Sequence, residues 1–297
     1  MTLRIAARIA GRELRGGLEG FRTFLLCLAL GVAAIAAVGS VRMAVQQGLL
    51  REGAILLGGD AAMQFTYRFA SDVEKDWMSE TAIGVSEIVD FRSMVVVDRN
   101  GATERGLTQV KAVDELYPLK GEVVLEPDIP LGEALSGDVP GAIMQKVLID
   151  RLGLQIGDTV RLGTQDFLLT AAITREPDGA GSGFSLGPRT IVRTDALARS
   201  GLLEPGSLFE TEYRLALPAG TDLEALRSEA EGLFRDTGLR WRDSRNGAPG
   251  VAAFVERMGA FLVLVGLAGL AVGGVGVFSA VRAFLDGKIG VIATLKT

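Results

Sequence analysis

The sequence predicts an α+β domain held outside a membrane between two transmembrane helices. Three observations lead there: two long uncharged apolar runs, basic flanks on the outer side of each run, and a mixed pattern of strand and helix signals between them. The chain has 297 residues, 48% of them hydrophobic, and a mean hydropathy of +0.32. Much of that excess sits in the two runs.

The second run, Met258–Ala280, reads MGAFLVLVGLAGLAVGGVGVFSA and carries no charge. A helix of that length exceeds the roughly 30 Å of bilayer hydrocarbon at about 1.5 Å per residue. The first run, residues 23–41 (TFLLCLALGVAAIAAVGSV), is bracketed by Arg22 and Arg42. A cleaved signal peptide is the competing reading, but the run is longer than the usual apolar centre of one, which is about 7–15 residues. An uncleaved span is the better fit.

Residues 1–22 place Arg4, Arg8, Arg12, Arg15 and Arg22 at helical spacing, with Leu3, Ala6, Ala10, Leu14 and Phe21 on the other side. That is the pattern of an amphipathic helix in the membrane interface. Beyond the second run come Arg282, Lys288 and Lys296 against Asp286. Basic residues favour the cytoplasmic side, so both ends are expected in the cytoplasm. Of 31 basic and 36 acidic residues, eight and three lie at the two ends, leaving 42–257 at a net of −10. That segment is expected on the extracytoplasmic side.

Residues 42–250 read as a folded domain. Strand-type runs occur at Met94–Val97, Val123–Leu125, Thr159–Leu162, Phe167–Ile173 and Thr190–Val192, rich in β-branched and apolar residues. Gly163-Thr164-Gln165-Asp166 predicts a hairpin connection. Ser71-Asp72-Val73-Glu74 and Thr221-Asp222-Leu223-Glu224 predict capping boxes. After the second, Leu223, Leu226, Ala230, Leu233 and Phe234 form one apolar stripe, with Gly238 as the stop. Turn clusters near Pro118 and Leu203–Ser207 divide the domain, with an inserted β-rich lobe over about 117–208. Pro249-Gly250 precedes a stalk expected to run unbroken through the second span, over 251–281.

The chemistry-bearing residues are few. There is no histidine, which excludes histidine-based triads and proton shuttles. The single cysteine, Cys27, permits neither an intramolecular disulfide nor a zinc cluster. No phosphate-binding loop of the form G-x4-G-K-[ST] occurs. Asp72, Glu74, Asp76 and Glu80 have a calcium-loop look, but Trp77 stands where the loop glycine belongs, and a solvated helix face explains them better. Gly179-Ala180-Gly181-Ser182-Gly183 reads as a surface loop that can serve a partner. Neither a catalytic residue, nor a cofactor site, nor a metal site is expected. The pI near 5.1 argues against nucleic acid as a partner.

In the second run Gly266, Gly269, Gly273, Gly274 and Gly276 make a small-residue face for close helix packing. The tail beyond it, 282–297, carries Ile289, Ile292 and Leu295 at three-residue spacing beside Lys288 and Lys296. A short amphipathic helix of this kind can dock in a groove of a soluble partner.

Ile292-Ala293-Thr294-Leu295-Lys296-Thr297 resembles the start of the coupling-helix motif of FtsX/MacB-like ABC transporter permeases. Gly11-Arg12-Glu13-Leu14-Arg15-Gly16-Gly17, the first apolar run and Leu57-Gly58-Gly59-Asp60 are similar to the YbbP-type branch of that family. So are Glu176-Pro177-Asp178 and Gly183-Phe184-Ser185-Leu186-Gly187-Pro188-Arg189. Val291 departs from the pattern, since many members carry an acid there. The resemblance implies a multi-pass permease subunit of the bacterial inner membrane, with no ATPase activity of its own. A cytoplasmic ATP-binding subunit would dock on Ile289, Ile292, Ala293, Leu295 and Lys296. The outer domain would be MacB-like, a porter-type lobe with an inserted β-rich lobe, moving in response to ATP hydrolysis. The cargo would be hydrophobic or lipid-like, with membrane lipid and a soluble extracytoplasmic protein as further partners. The family has more than two spans, so the chain is expected to be an N-terminal portion. The alternative is a two-span receptor whose outer domain binds a ligand. A membrane-anchored enzyme has no residues to support it.

Overall fold

A computed structural model describes residues 19–99, 101–179, 187–204, 206–247, 253–254, 256–269, 271, 274–275, 278 and 282. The chain falls into two compact units, Met1–Gln46 with Ala253–Thr297, and Gln47–Ala252. In the first unit residues 256–269 are helical. Helix α1 (Glu19–Leu57) contains the first apolar run and continues beyond it into the second unit. Among the described residues no helix is long and apolar enough to cross a membrane.

The unit Gln47–Ala252 is built on β1 (Ala61–Thr66), α2 (Asp72–Thr81), β2 (Gly84–Arg99), β3 (Ala102–Val113), β4 (Val124–Glu126), α3 (Leu131–Leu135), β5 (Gly141–Gln145), α4 (Lys146–Arg151), β6 (Thr159–Leu162), β7 (Gln165–Arg175), β8 (Arg189–Arg193), β9 (Phe209–Ala216), α5 (Leu223–Leu233) and β10 (Arg240–Asp243). It is a mixed α/β fold with one shared strand. β2 is 16 residues long. Its first half pairs with β9 and its Val95 and Val96 pair with β6, while β3 runs alongside most of it.

On one side of β2 the order β10-β1-β9-β2 forms an antiparallel sheet. Alternation turns Ala61, Met63 and Phe65 of β1 and Tyr213 and Leu215 of β9 to one face. Helices α2 and α5 cover that face with Met78, Leu226 and the ring of Trp77, which stands edge-on to Phe234 at 5.8 Å. On the other side six strands close into a barrel. β2 pairs β3, β3 pairs β8, β8 pairs β5, β5 pairs β7, β7 pairs β6, and β6 returns to β2. Two of these pairings, β3–β8 and β5–β7, are parallel. Closure removes the exposed edges that a curled sheet would otherwise present. Val95, Val97, Val110, Met144, Leu162, Phe167 and Leu169 fill the interior. The outside of β5, β7 and β8 is covered by Tyr117, Val123, Leu125, Ala134 and Leu135 from the segment after β3.

The strand runs at Met94–Val97, Thr159–Leu162, Phe167–Ile173 and Thr190–Val192 fall inside β2, β6, β7 and β8. The hairpin is tighter than the four residues suggested, because Leu162 and Gln165 already pair and only Gly163-Thr164 turns. Strands β2 and β3 precede residue 117, so the barrel draws on more of the chain than the β-rich lobe expected over 117–208.

The first capping box forms as expected, with Ser71 and Glu74 each satisfying the other's backbone N–H. The second does not. Asp222 is the cap of α5, accepting from the N–H groups of Glu224 and Ala225, while the Thr221 hydroxyl donates to Pro218 O. A carboxylate one residue nearer the helix takes the orphan N–H groups first. One member leaves the stripe: Leu233 is 61% exposed, whereas Phe234, just past the end of α5, is buried, and Gly238 lies in the turn beyond it.

Helix α1 meets the rest of its unit by backbone contact. A Cβ on Gly53 would lie 1.8 Å from Ser244 O, so only glycine fits there.

Phe167→Ala removes a fully buried barrel side chain and is expected to cost about 3–5 kcal/mol, read as a lowered denaturant midpoint. Asp222→Ala removes a cap and is expected to cost about 1 kcal/mol in the same measurement.

Candidate functional site

Leu57-Gly58-Gly59-Asp60, Glu176-Pro177-Asp178 and Gly187-Pro188-Arg189 lie far apart in sequence and meet in one place. Antiparallel pairing sets Arg214 of β9 opposite Ser86 of β2, and Asp90 of β2 opposite Lys111 of β3. Parallel pairing with β8 puts Arg189 opposite Gln109. Gln109 is two residues from Lys111, so the two share a face of β3. That face of the sheet lies opposite the one covered by α2 and α5, and it carries a row of charges.

The segment after β7 lies over this row. Pro177 has no N–H to offer a ladder, and the chain leaves β7 at Arg175. Asp178 is fully buried and accepts three hydrogen bonds: from Lys111 Nζ at 2.7 Å, from the Tyr117 hydroxyl at 2.8 Å, and from Arg214 Nη1. Glu176 accepts from Lys111 Nζ and lies 3.5 Å from Arg189 Nε. Arg189 also pairs with Asp90 at 2.8 Å, and Arg214 with Glu212 at 3.2 Å. Arg242 stands 3.9 Å from Glu212. Cations Lys111, Arg189, Arg214 and Arg242 therefore face anions Asp90, Glu176, Asp178 and Glu212. The charges balance, as burial requires.

Burial pushes the Asp178 carboxyl up, but Lys111 and Arg214 outweigh it and hold the group well below the usual range. Burial pushes the Tyr117 hydroxyl far up, and neighbouring Asp178 and Glu176 push it further, so it stays protonated and donates. Burial works against the Arg189 charge, yet Asp90 and Glu176 raise its pKa. Asp178, Tyr117 and Arg189 are thus held in their ordinary charge states. The cluster joins chain segments.

The turn at Gly58 completes it. Gly58 has φ +74°, and a Cβ there would lie 2.1 Å from Arg214 Nη1 and 3.4 Å from Asp178 Cβ. A side chain at this position would drive the guanidinium off Asp178. Asp60 accepts from Leu217 N at 2.9 Å and stands 3.6 Å from Lys120.

Comparison with known proteins agrees with the motifs. The chain is 24% identical over 277 residues, 92% of its length, to the uncharacterized ABC transporter permease YbbP of Escherichia coli K12. The chain resembles a YbbP-type permease. It spans 32% of that relative's length. No protein-family profile matches. Among solved structures, the periplasmic region of MacB from Actinobacillus actinomycetemcomitans is 10% identical, covering 64% of this chain and 92% of that one, with a TM-score of 0.42. A domain of a permease protein from Porphyromonas gingivalis is 12% identical, covering 62% and 89%, with a TM-score of 0.42. The extracellular domain of the ABC-type transporter YknZ from Gram-positive bacteria is 12% identical, covering 62% and 99%, with a TM-score of 0.39.

Ile289, Ile292, Ala293, Leu295 and Lys296 lie outside the described residues, as do Gly273 and Gly276, residues 180–186, and Pro249. Gly266, Gly269 and Gly274 are helical. An added Cβ on Gly269 or Gly274 meets no described atom within 4 Å. Of the carboxylates Asp72, Glu74, Asp76 and Glu80, only Glu74 is turned inward, 1% exposed, and it holds Arg68 through two hydrogen bonds of 2.7 and 2.8 Å. Among the described residues no group of three or more acidic or cysteine side chains gathers as for a metal. Lys111, Tyr117 and Arg214 were not visible as site residues in the sequence, where each looks like any residue of an alternating strand or turn.

Burial would raise the Glu74 carboxyl, but Arg68 and Ser71 lower it from 4.5 to about 2. A depressed folded value adds stability that is complete above about pH 4.5 and lost as pH falls toward about 2. Glu74→Gln is expected to lower stability at neutral pH and to flatten its decline over that window, read by denaturant unfolding at a series of pH values.

Proposed function

We propose that this chain is part of the membrane-spanning permease subunit of an ABC transporter of the FtsX/MacB type. The observation that carries this reading is the similarity to YbbP over 277 residues, 92% of the chain. The subunit couples ATP hydrolysis on a separate cytoplasmic ATPase to movement of the extracytoplasmic domain. Its cargo is hydrophobic or lipid-like and is exported or extracted from the membrane.

Physical features of the chain support the reading. The two uncharged runs at 23–41 and 258–280 are long enough to span, and basic residues flank both on the sides assigned to the cytoplasm. That arrangement puts 42–257 outside the bacterial inner membrane. The domain division follows: an interfacial helix over 1–22, a first span over 23–41, the outer domain over 42–250, a stalk and second span over 251–281, and a coupling segment over 282–297. Without a phosphate-binding loop the chain needs a partner to hydrolyse ATP. Ile289, Ile292, Ala293, Leu295 and Lys296 form the docking surface for that partner. Gly266, Gly269, Gly273, Gly274 and Gly276 make the face on which another membrane helix packs.

Two measurements test this. An ATP-binding subunit is expected to co-purify with the chain and to be lost when Leu295→Asp and Lys296→Asp are combined; retained binding would remove the docking assignment. In cells carrying Cys27→Ser, a cysteine placed at Ser228 is expected to react with a membrane-impermeant maleimide from outside. One placed at Lys288 should react only after permeabilisation, and the reverse pattern would invert the topology.

A further inference from the structure

Three features of the charge cluster go beyond holding a fold together. The first is its place. The barrel and the helix-backed sheet have separate apolar interiors, meeting through the shared strand β2 and, at one end of β9, through Phe69 and Phe209, whose ring centroids lie 5.2 Å apart. Barrel residues also reach across at Glu176-Pro177-Asp178, which leaves β7 of the barrel and pairs with Arg214 of the sheet.

The second is what it touches. Gly121 is wedged between Pro177 and Ile55 of α1, since a Cβ on it would lie 2.6 Å from Pro177 Cβ and 3.1 Å from Ile55 Cγ2. Ile55 of α1 thus bears on Pro177 through Gly121, and Gly58, the residue after α1, lies against Arg214 beside Asp178. A displacement of the last turn of α1 would reach Pro177 through Gly121 and Arg214 through Gly58.

The third is the kind of contact. An apolar seam is non-directional and tolerates small slips. Ion pairs with fixed hydrogen-bond geometry do not, because separating one pair leaves a buried charge uncompensated. Such a seam is either made or broken. It is also not saturated: Arg214 Nε and Glu212 Oε1 have no hydrogen-bond partner among the described residues, so the made state gives up part of its hydration without full return.

We infer that Glu176-Pro177-Asp178 is a releasable latch that fastens the barrel to the end of α1 and to the helix-backed sheet. Released, the barrel turns about β2 while both apolar interiors stay intact. The latch follows from contacts within the outer domain and holds whether or not the chain serves a transporter, so its test needs no ATPase.

The full chain, in lipid nanodiscs and carrying Cys27→Ser, takes spin labels on cysteines at Asp166 of the barrel and Ser228 of α5, both exposed. Pulsed electron–electron resonance is expected to give one narrow distance with the latch intact. Asp178→Asn is expected to add a second, displaced distance, with amide exchange in β1, β9, β5 and β7 unchanged. Gly58→Ala, which moves the Arg214 guanidinium without removing a charge, is expected to do the same. An unchanged single distance in both variants would overturn the latch. So would loss of exchange protection throughout both interiors, including failure of both variants to fold, because the cluster would then belong to one indivisible folding unit.

Discussion

Asp178 is a buried carboxylate that accepts from a lysine, a tyrosine and an arginine at once, and the arrangement of the Gln47–Ala252 unit depends on that convergence. A charge moved from water into a low-dielectric interior is tolerated only where opposite charges and donors replace its hydration. The requirement is strict enough to fix where neighbouring segments lie. β3 must present Lys111, β9 must present Arg214, the segment after β3 must fold back to bring Tyr117, and α1 must end in a residue without a side chain at Gly58. Four separate parts of the chain are thereby brought to one point.

The long strand β2 makes that convergence possible. One strand serving two sheets transmits twist from the helix-backed lobe into the barrel, and its register sets Ser86, Asp90 and their partners on β9 and β3 in line. The odd-numbered residues Val89, Phe91, Val95 and Val97 fill the barrel interior. The even-numbered side is left for the charged row, so one pleat separates the apolar interior from the cluster. The barrel is consequently neither an appendage nor a free module. It shares a strand with the sheet and is fastened a second time through its β7–β8 connection.

The likeness to a permease and the form of the domain bear on each other. Motifs that mark the resemblance, Leu57-Gly58-Gly59-Asp60 and Glu176-Pro177-Asp178, are short and separately unremarkable. Their spatial meeting gives them a shared physical reason: a glycine turn that clears room for Arg214, and a proline that takes the chain off the barrel to deliver Asp178.

Local chemistry was legible in the sequence. The Ser71–Glu74 capping box, the Gly163-Thr164 turn and the strand runs of β2, β6, β7 and β8 depend on residues within a few positions of one another, and propensity and periodicity report them. The uncharged runs and their basic flanks are equally local. What the sequence could not show was pairing at long range. Closure of the barrel depends on β6 returning to β2. The cluster was hidden for the same reason, since Lys111 and Asp178 are 67 positions apart and only strand register brings them to 2.7 Å. Alternation decides which side of a strand a charge occupies; tertiary structure alone decides whether that side meets water or an opposite charge.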